Sequence, residues 1–177
     1  MFAFFPAQSF GMALTTFVGQ NIGAGKMHRV KEGLRATMLM SVLCGIGAMV
    51  LVLTCGPNMM HLFSQEAAVV EAGMDYLRPV MYCYLLFAIM NTVLSVLRGA
   101  GDMVFPMITS LLSLWIIRLP MAYLFSYWFG KEYIFFSYGG GWLIGMTMAI
   151  IYYFTGRWKK KAVVSKESEE GLQEKYE

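Results

Sequence analysis

Long stretches of apolar residues make up most of the chain, and short clusters of charged residues separate them. A helix needs about 20 predominantly apolar residues to cross the core of a bilayer. Stretches of this kind occur at about 3–22, 34–56, 78–98, 103–129 and 136–157. The pattern therefore predicts an all-α integral membrane helical bundle with about five transmembrane helices.

Local signals set the expected ends of these helices. Pro57 and Asn58 form a turn signal that is expected to end the second span. After it, Ser64 offers the start of a short helix on the outer surface that leads into the third span. Asp102 is expected to cap the fourth span, with Pro106 near its first turn, where proline is tolerated.

The composition places the chain in the membrane class. Of its 177 residues 58% are hydrophobic and 14% are charged, and the mean hydropathy is +0.56. An ordinary soluble domain has about 25% charged residues. No charge precedes Lys26, so the first stretch lacks the basic start of a secretory leader and we expect a membrane helix there. Cys44, Cys55 and Cys83 match no zinc or redox spacing, and we interpret them as packing residues.

The charged residues divide between the two sides of the predicted helices. Short loops that stay in the cytoplasm are enriched in lysine and arginine. One side collects Lys26, Arg29, Lys31, Arg35, Arg98, Arg157, Lys159, Lys160 and Lys161, and the other collects Arg78 and Lys131 beside Glu66, Glu71, Asp75 and Glu132. We therefore expect the N-terminus outside and the C-terminus in the cytoplasm. Residues 158–177 are expected to form a charged cytoplasmic tail without a catalytic role.

Two glycine-rich segments end predicted spans on the same side of the membrane. Residues 22–26 read IGAGK, and residues 98–102 read RGAGD. The first is not a phosphate-binding loop, because Gln20 stands in place of the required first glycine and Met27 in place of the serine or threonine. We interpret both as tight cytoplasmic turns in which glycine adopts a left-handed conformation. The residues assigned to this structural or gating role are Gly23, Gly25, Gly99 and Gly101.

Polar residues form a stripe on each of two predicted helices, with spacings of seven and four that place each set on one helical face. The substrate-cavity candidates are Ser9, Thr16 and Gln20 on the first helix and Tyr84, Asn91 and Ser95 on the third. Facing a cavity, these residues would supply hydrogen bonds between apolar walls. Facing another helix, they would join the two helices. The sequence leaves both alternatives open.

Arg118 is predicted to lie deep within the fourth span, where a cation costs about 2.5–3.5 kcal/mol unless protein or water surrounds it. Pro120 has no N–H to donate to the carbonyl of Ile116, so that carbonyl is free to accept a hydrogen bond from the arginine side chain. We therefore expect Arg118 and Pro120 to have a structural or gating role, in which the arginine braces a kinked helix.

Four segments, in order along the chain, resemble the multidrug and toxic compound extrusion (MATE) family. They read GMALTTFVGQNIGAGKMHRVKEG, LFSQEAAVVEAGMDYLR, LRGAGDMVFPM and RLPMAYLF. The resemblance extends to about residue 156 and implies a twelve-helix antiporter made of two six-helix lobes. In that plan the five spans correspond to helices 8 to 12, the C-terminal lobe without its first helix. The implied function is efflux of drugs or other organic compounds in exchange for H⁺ or Na⁺.

The resemblance also implies partners. Alternating access normally needs one repeat to move against another. We therefore expect the missing N-terminal lobe to be supplied in the same or another chain, and we expect this chain to be inactive alone. We interpret it as a truncated reading frame that starts at an internal methionine. The lipid bilayer and a small organic substrate are further expected partners, nucleic acid is not, and the expected location is the plasma membrane of a bacterium.

Two other functions stay open. A lipid-linked saccharide flippase of the same superfamily would favour a more cationic cavity, and a non-transporting membrane remnant would only associate with other helices. An enzyme is not expected, because His28 and His61 lack catalytic partners and no carboxylate pair or metal spacing is present. No cofactor or metal is expected, and because no acid falls within a span core, no ligand for the coupling ion is identified.

Overall fold

The computed structural model describes residues 4–159, apart from the side chains of Lys131 and Glu132. All regular structure in that part of the chain is helical, which confirms the all-α prediction. The helices are α1 (Phe5–Gly23), α2 (Met27–His61), α3 (Ala67–Gly99), α4 (Val104–Leu111), α5 (Arg118–Trp128) and α6 (Ser137–Thr155). A π-helical segment, Leu112–Ile117, joins α4 to α5, and a 3₁₀ segment, Lys131–Phe136, precedes α6. Of the predicted tail, 158–177, Trp158 and Lys159 are described, and residues 160–177 lie outside the described residues.

Four of the described helical segments are long and apolar enough to cross a membrane. They are Met27–His61, Ala67–Gly99, Val104–Trp128 and Tyr133–Thr155, and they overlap the second to fifth predicted spans. The first predicted span coincides with α1, which is not among these four segments. Its 19 residues include the polar Gln8, Gln20 and Asn21. The chain is thus an integral membrane helical bundle, and a fifth crossing by α1 stays a prediction.

The end of α2 differs from the expected one. The helix continues through Pro57 to His61, so the predicted boundary at Pro57 and Asn58 is wrong. Gly56 packs against α3, where an added Cβ would lie 2.8 Å from the sulfur of Met74. This close packing stabilises the last turns of α2 and offsets the one helical hydrogen bond that proline removes.

The third span is one helix rather than a surface helix followed by a span. α3 runs unbroken from Ala67 to Gly99, so the expected separate helix after Ser64 is wrong. Ser64 Oγ instead accepts a hydrogen bond from the N–H of Glu66 at 3.2 Å, just before the helix begins. Pro79 lies inside the helix, and the carbonyl that it leaves unpaired belongs to the exposed residue Asp75, where water can hydrate it.

α3 is the central helix of the bundle. Of its most apolar 18 residues 67% are buried, against 17% for α2 and 17% for the segment from α4 to α5. The largest buried cluster gathers side chains of α3 with Leu14 and Val18 of α1, Val30 of α2, Ala149 of α6 and Trp158. The outer helices expose large apolar side chains such as Leu39, Leu114 and Phe154, which suits contact with lipid.

The long helices extend beyond a bilayer core. At 1.5 Å per residue, α2 and α3, with 35 and 33 residues, are each about 50 Å long, whereas the core is about 30 Å thick. Because short turns join consecutive helices, one end of the bundle holds the α1–α2 turn, the α3–α4 turn and the end of α6. We call it the basic end, since it carries Lys26, Arg29, Lys31, Arg35, Arg98, Arg157 and Lys159.

The fourth span changes its helix type before Pro120. α4 gives way to the π segment Leu112–Ile117, and α5 follows from Arg118. Proline has no N–H and its ring crowds the carbonyl four residues earlier. A wider π turn relieves this crowding, and such turns are frequent at functional sites. The predicted disturbance of this helix is therefore a π segment that lies ahead of the proline.

Candidate functional site

The two glycine turns at the basic end have the same hydrogen-bond pattern. The N–H groups of Gly25 and Lys26 donate to carbonyls three and five residues earlier, at 2.9 and 2.8 Å. Those of Gly101 and Asp102 do the same, both at 3.0 Å. The φ angles of Gly25 and Gly101 are 70° and 86°, in the left-handed region that favours glycine. The echo in the sequence is thus a repeated Schellman turn. Gly23 and Gly99, the last residues of α1 and α3, have no positive φ, so the left-handed conformation belongs to Gly25 and Gly101.

Helices α1 and α3 approach each other along small residues. We call this contact the small-residue seam; it consists of Gly11, Thr15 and Gly19 of α1 with Asn91, Ser95 and Gly99 of α3. A Cβ added to Gly99 would lie 2.5 Å from the carbonyl oxygen of Thr15, and one added to Gly19 would lie 3.3 Å from that of Gly99. The two backbones therefore meet directly, as at membrane helix contacts built on small residues four apart.

The polar stripe predicted on the third span belongs to helix packing. Asn91 is 5% exposed, and its Nδ2 donates to the carbonyl of Ala7 at 3.0 Å. Ser95 is fully buried, and its Oγ donates to the carbonyl of Asn91 at 2.8 Å. Tyr84 is also buried, and its ring packs against Phe4 with centroids 5.3 Å apart. In the described part of the chain, these three residues join α3 to α1 and line no open cavity.

The polar stripe predicted on the first span lies on the opposite side of α1. Ser9, Thr16 and Gln20 are all exposed, and so is Met12, at 72%. Thr16 Oγ1 donates to the carbonyl of Met12 at 3.4 Å. We call these four residues the outward face of α1. It combines hydroxyl and amide groups with an adaptable methionine, a composition that suits contact with varied organic compounds.

Arg118 contacts an aromatic ring. The guanidinium carbon lies 3.5 Å from the ring centroid of Tyr138 in the first turn of α6, a cation–π contact. The ring of Tyr76 on α3 lies 6.1 Å from that of Tyr138. The arginine therefore links α5 to α6, and Tyr138 in turn contacts α3. Its partner is the Tyr138 ring rather than the expected carbonyl of Ile116.

A contact that sequence analysis missed holds the π segment against α6. The buried Ser113 donates from Oγ to the carbonyl of Gly141 at 2.6 Å. A Cβ added to Gly141 would lie 2.9 Å from the Ser113 carbonyl oxygen, and one added to Gly145 would lie 3.2 Å from Ser113 Oγ. Glycine at both positions allows this approach. Two glycines four residues apart are typical of close helix contacts in membranes, and this spacing was the signal in the sequence that could have indicated the contact.

We expect Ser113→Ala to lower the free energy of unfolding by about 1 kcal/mol, because the buried hydrogen bond from Ser113 to the Gly141 carbonyl is lost. The matched control is Thr147→Ala, which removes an exposed hydroxyl that donates to the carbonyl of Leu143 at 2.8 Å. The control should change the free energy by less than about 0.5 kcal/mol. Unfolding of the purified chain in detergent measures both, and equal losses would contradict the assignment.

Asp102 is a fully buried acid at the basic end. Its Oδ2 accepts a hydrogen bond from the hydroxyl of Tyr152 at 2.6 Å. Its Oδ1 accepts one from the N–H of Phe105 at 3.3 Å, so the carboxylate caps the start of α4 from the position before its boundary residue, Met103. The Phe105 and Tyr152 rings stack with centroids 3.7 Å apart. Asp102 thus connects the second glycine turn to α4 and α6.

Other parts of the described chain offer weaker candidates. A cavity of about 270 Å³ lies between the end of α2 and the start of α3, with His61, Glu71, Asp75 and Arg78 among its lining residues. None of these belongs to the predicted polar stripes. Among residues 4–159, no three His, Cys, Asp or Glu side chains come together in a way that could hold a metal ion. The outward face of α1 is therefore the candidate functional site.

The fold and this face are those of an integral membrane protein of long packed helices, with a mixed polar and apolar face on a helix at the edge. The family model named MatE matches residues 1–124 of the 177. The chain therefore belongs to the MatE family, which confirms the resemblance to multidrug and toxic compound extrusion proteins.

Curated relatives bear names of the same kind. Probable multidrug resistance protein YpnP of Bacillus subtilis is 31% identical over 154 residues, which are 87% of this chain and 35% of the relative. Probable multidrug resistance protein NorM of Thermotoga maritima is 26% identical, over 93% of this chain and 36% of the relative. Multidrug and toxin extrusion protein 1 of Homo sapiens is 24% identical, over 64% and 20%. The chain thus spans about a third of the first two relatives, and no solved structure gives a significant match.

Proposed function

We propose that this chain is part of a cation-coupled antiporter that expels drugs or other organic compounds, and that the outward face of α1 lines the substrate pathway. The observation that carries the proposal is the exposure of Ser9, Thr16 and Gln20 on one face of a helix in a MatE-family chain. The multidrug resistance names of the relatives support efflux. H⁺ or Na⁺ is the proposed coupling ion.

Polar groups that face lipid without a hydrogen-bond partner destabilise a membrane protein. On the water-to-cyclohexane scale, transfer of a hydroxyl or amide group into hydrocarbon without a hydrogen-bond partner costs roughly several kcal/mol. Thr16 satisfies its donor within α1, but the amide of Gln20 and the hydroxyl of Ser9 are exposed. Water or another protein surface would satisfy them, whereas lipid would not. A water-filled pathway beside α1 fits this requirement.

The opposite wall of the pathway is proposed to come from the rest of the transporter. α1 packs on α2 and α3 through its other side, so its outward face lies at an edge of the described bundle. We propose that the N-terminal lobe, in the same or another chain, faces this edge. Movement of the lobe against the present helices would open the pathway alternately to each side. The basic end is proposed to face the cytoplasm.

Thr16→Val together with Gln20→Leu is expected to raise the KM of transport about tenfold in the complete transporter, since each lost hydrogen bond to substrate is worth roughly 0.5–1.5 kcal/mol. Transport by the complete protein is measured in membranes from a host that lacks other efflux pumps. The control is Thr147→Val, because Thr147 is also exposed and also donates to the carbonyl four residues earlier, but lies on α6.

Three results would count against these proposals. A complete transporter that gives no resistance and no gradient-dependent export would contradict efflux. An unchanged KM in the double variant would contradict the role of the outward face while leaving efflux intact. An equal effect of Thr147→Val would show that the change comes from general loss of stability.

A further inference from the structure

Six exposed cations lie at the basic end, and they come from two parts of the chain that are far apart in sequence. They are Lys26, Arg29, Lys31 and Arg35 around the start of α2, and Arg157 and Lys159 after α6. The exposed acid among them is Glu32. Asp102 lies at the same end but is fully buried against Tyr152, so it does not form part of the exposed surface.

The residue that brings the two parts together is Trp158. It is 1% exposed and belongs to the same buried cluster as Val30 of α2. Its ring stacks on Tyr153 with centroids 5.4 Å apart, and its Nε1 donates to the carbonyl of Tyr153 at 2.9 Å. Gly156, with φ of 68°, makes the reversal that turns the chain back.

This arrangement places cations of both segments beside each other. Trp158 is flanked directly by Arg157 and Lys159. Leu34, the residue before Arg35 in α2, and Tyr153, on which Trp158 stacks, both pack against the buried cluster that contains Trp158. Burial of a large aromatic side chain fixes this position far better than a flexible basic tail could. The cations are therefore held as one surface.

Apolar side chains border this surface on the membrane side. Leu39 and Met40, one turn after Arg35, are 61% and 54% exposed. Phe154, just before the reversal at Gly156, is 79% exposed. A cationic surface next to apolar side chains matches a phospholipid, whose phosphate lies at the interface and whose acyl chains lie deeper.

We propose that the basic end binds the headgroups of anionic phospholipids, with Trp158 as the residue that positions the cations. Guanidinium groups match the geometry of phosphate and bind it with two parallel hydrogen bonds. Zwitterionic lipids offer the same phosphate beside a positive charge, so they bind more weakly. This inference rests on the membrane placement of the chain and does not depend on transport.

The test is a lipid titration of the purified full chain in detergent, followed by native mass spectrometry, with phosphatidylglycerol and phosphatidylcholine as probes. We expect at least tenfold tighter binding of phosphatidylglycerol. Arg35→Gln is expected to weaken that binding about fivefold, the change that corresponds to one cation near an anionic surface. Arg78→Gln, which removes one cation at the opposite end, serves as the charge control and should leave it unchanged.

Trp158→Ala separates the position of the cations from their number. The variant keeps every charge, but we expect it to reduce the preference for phosphatidylglycerol over phosphatidylcholine. This preference is a ratio of two affinities, so a general loss of stability would lower both affinities and leave the ratio unchanged. Trp128→Ala, at a site 72% exposed on α5, is the matched control. Equal binding of the two lipids, an equal effect of Arg78→Gln and Arg35→Gln, or full competition by millimolar glycerol phosphate would overturn the proposal.

Discussion

Gly99→Ala is expected to lower the free energy of unfolding by about 2–3 kcal/mol, the upper part of the range for overpacking a filled interior. The added methyl group would lie 2.5 Å from the carbonyl oxygen of Thr15 and 2.7 Å from Cβ of Val18. One obstacle is backbone and the other is the rigid root of a β-branched side chain. Neither can rotate away, so α1 and α3 must separate.

Gly47→Ala is the matched control for this variant. Gly47 also lies inside a long helix, but nothing lies within 4 Å of an added Cβ. There the substitution should be neutral or raise stability by up to about 1 kcal/mol, because alanine favours helix more than glycine. Thermal or denaturant unfolding of both variants in the same detergent measures the difference. Equal stability of the two variants would contradict the close contact between α1 and α3.

The separation of α1 from α3 would have a second consequence. Asn91 donates to the carbonyl of Ala7 and Thr15 donates to that of Ser95, and both bonds cross the small-residue seam. If the seam opens, Asn91 loses its partner, whereas Thr15 keeps its bond to the carbonyl of Gly11 at 2.9 Å. A double variant of Gly99→Ala with Asn91→Ala should therefore cost less than the sum of the single variants, since both act on one contact.

The sequence was sufficient to locate most helices, but some of their ends were predicted wrongly. Proline and a following asparagine usually mark a turn, yet Pro57 and Asn58 both lie inside α2. A turn signal expresses a local preference of the chain. Tertiary packing overrode it at Gly56, which contacts Met74 of the neighbouring helix, and no pattern within α2 alone reports that neighbour.

The same limit applies to the candidate site. Spacings of seven and four placed two sets of polar residues on two helical faces, but the partner of each face could not be derived from the spacing. Asn91 and Ser95 are buried at the seam, whereas Thr16 and Gln20 are exposed. The small residues Gly11, Gly19 and Gly99 could have separated the cases, since closely packed membrane helices use such spacing. The π segment had no comparable signal beyond Pro120.

Tyr152→Phe is the second substitution with a large expected effect, a loss of about 1.5–3 kcal/mol of unfolding free energy. The variant keeps the ring and its stacking on Phe105 but removes the hydroxyl that donates to Asp102 Oδ2 at 2.6 Å. Asp102 is fully buried, so water cannot readily replace that donor. A hydrogen bond to a buried carboxylate is worth more than one between neutral groups.

Tyr123→Phe is the control, because Tyr123 is 73% exposed and its ring is nearly parallel to that of Tyr127, although the centroids are 6.4 Å apart rather than 3.7 Å. It should change stability by less than about 0.5 kcal/mol. A double-mutant cycle of Tyr152→Phe with Asp102→Ala isolates the bond itself, and a coupling of at least about 1 kcal/mol is expected. Additive effects would mean that tyrosine and aspartate stabilise the chain independently.

The two glycine turns differ in whether a side-chain hydrogen bond such as that of Tyr152 to Asp102 ties them to another helix. Both turns have the same Schellman hydrogen bonds, but the residue that ends the first is the exposed Lys26 and the residue that ends the second is the buried Asp102. The first turn therefore presents charge at the surface of the basic end. The second is tied through Tyr152 to α6, the helix that leads to Trp158. Loss of the tyrosine hydroxyl should consequently loosen the end of α6, and faster amide hydrogen exchange there than in the Tyr123→Phe control would detect it.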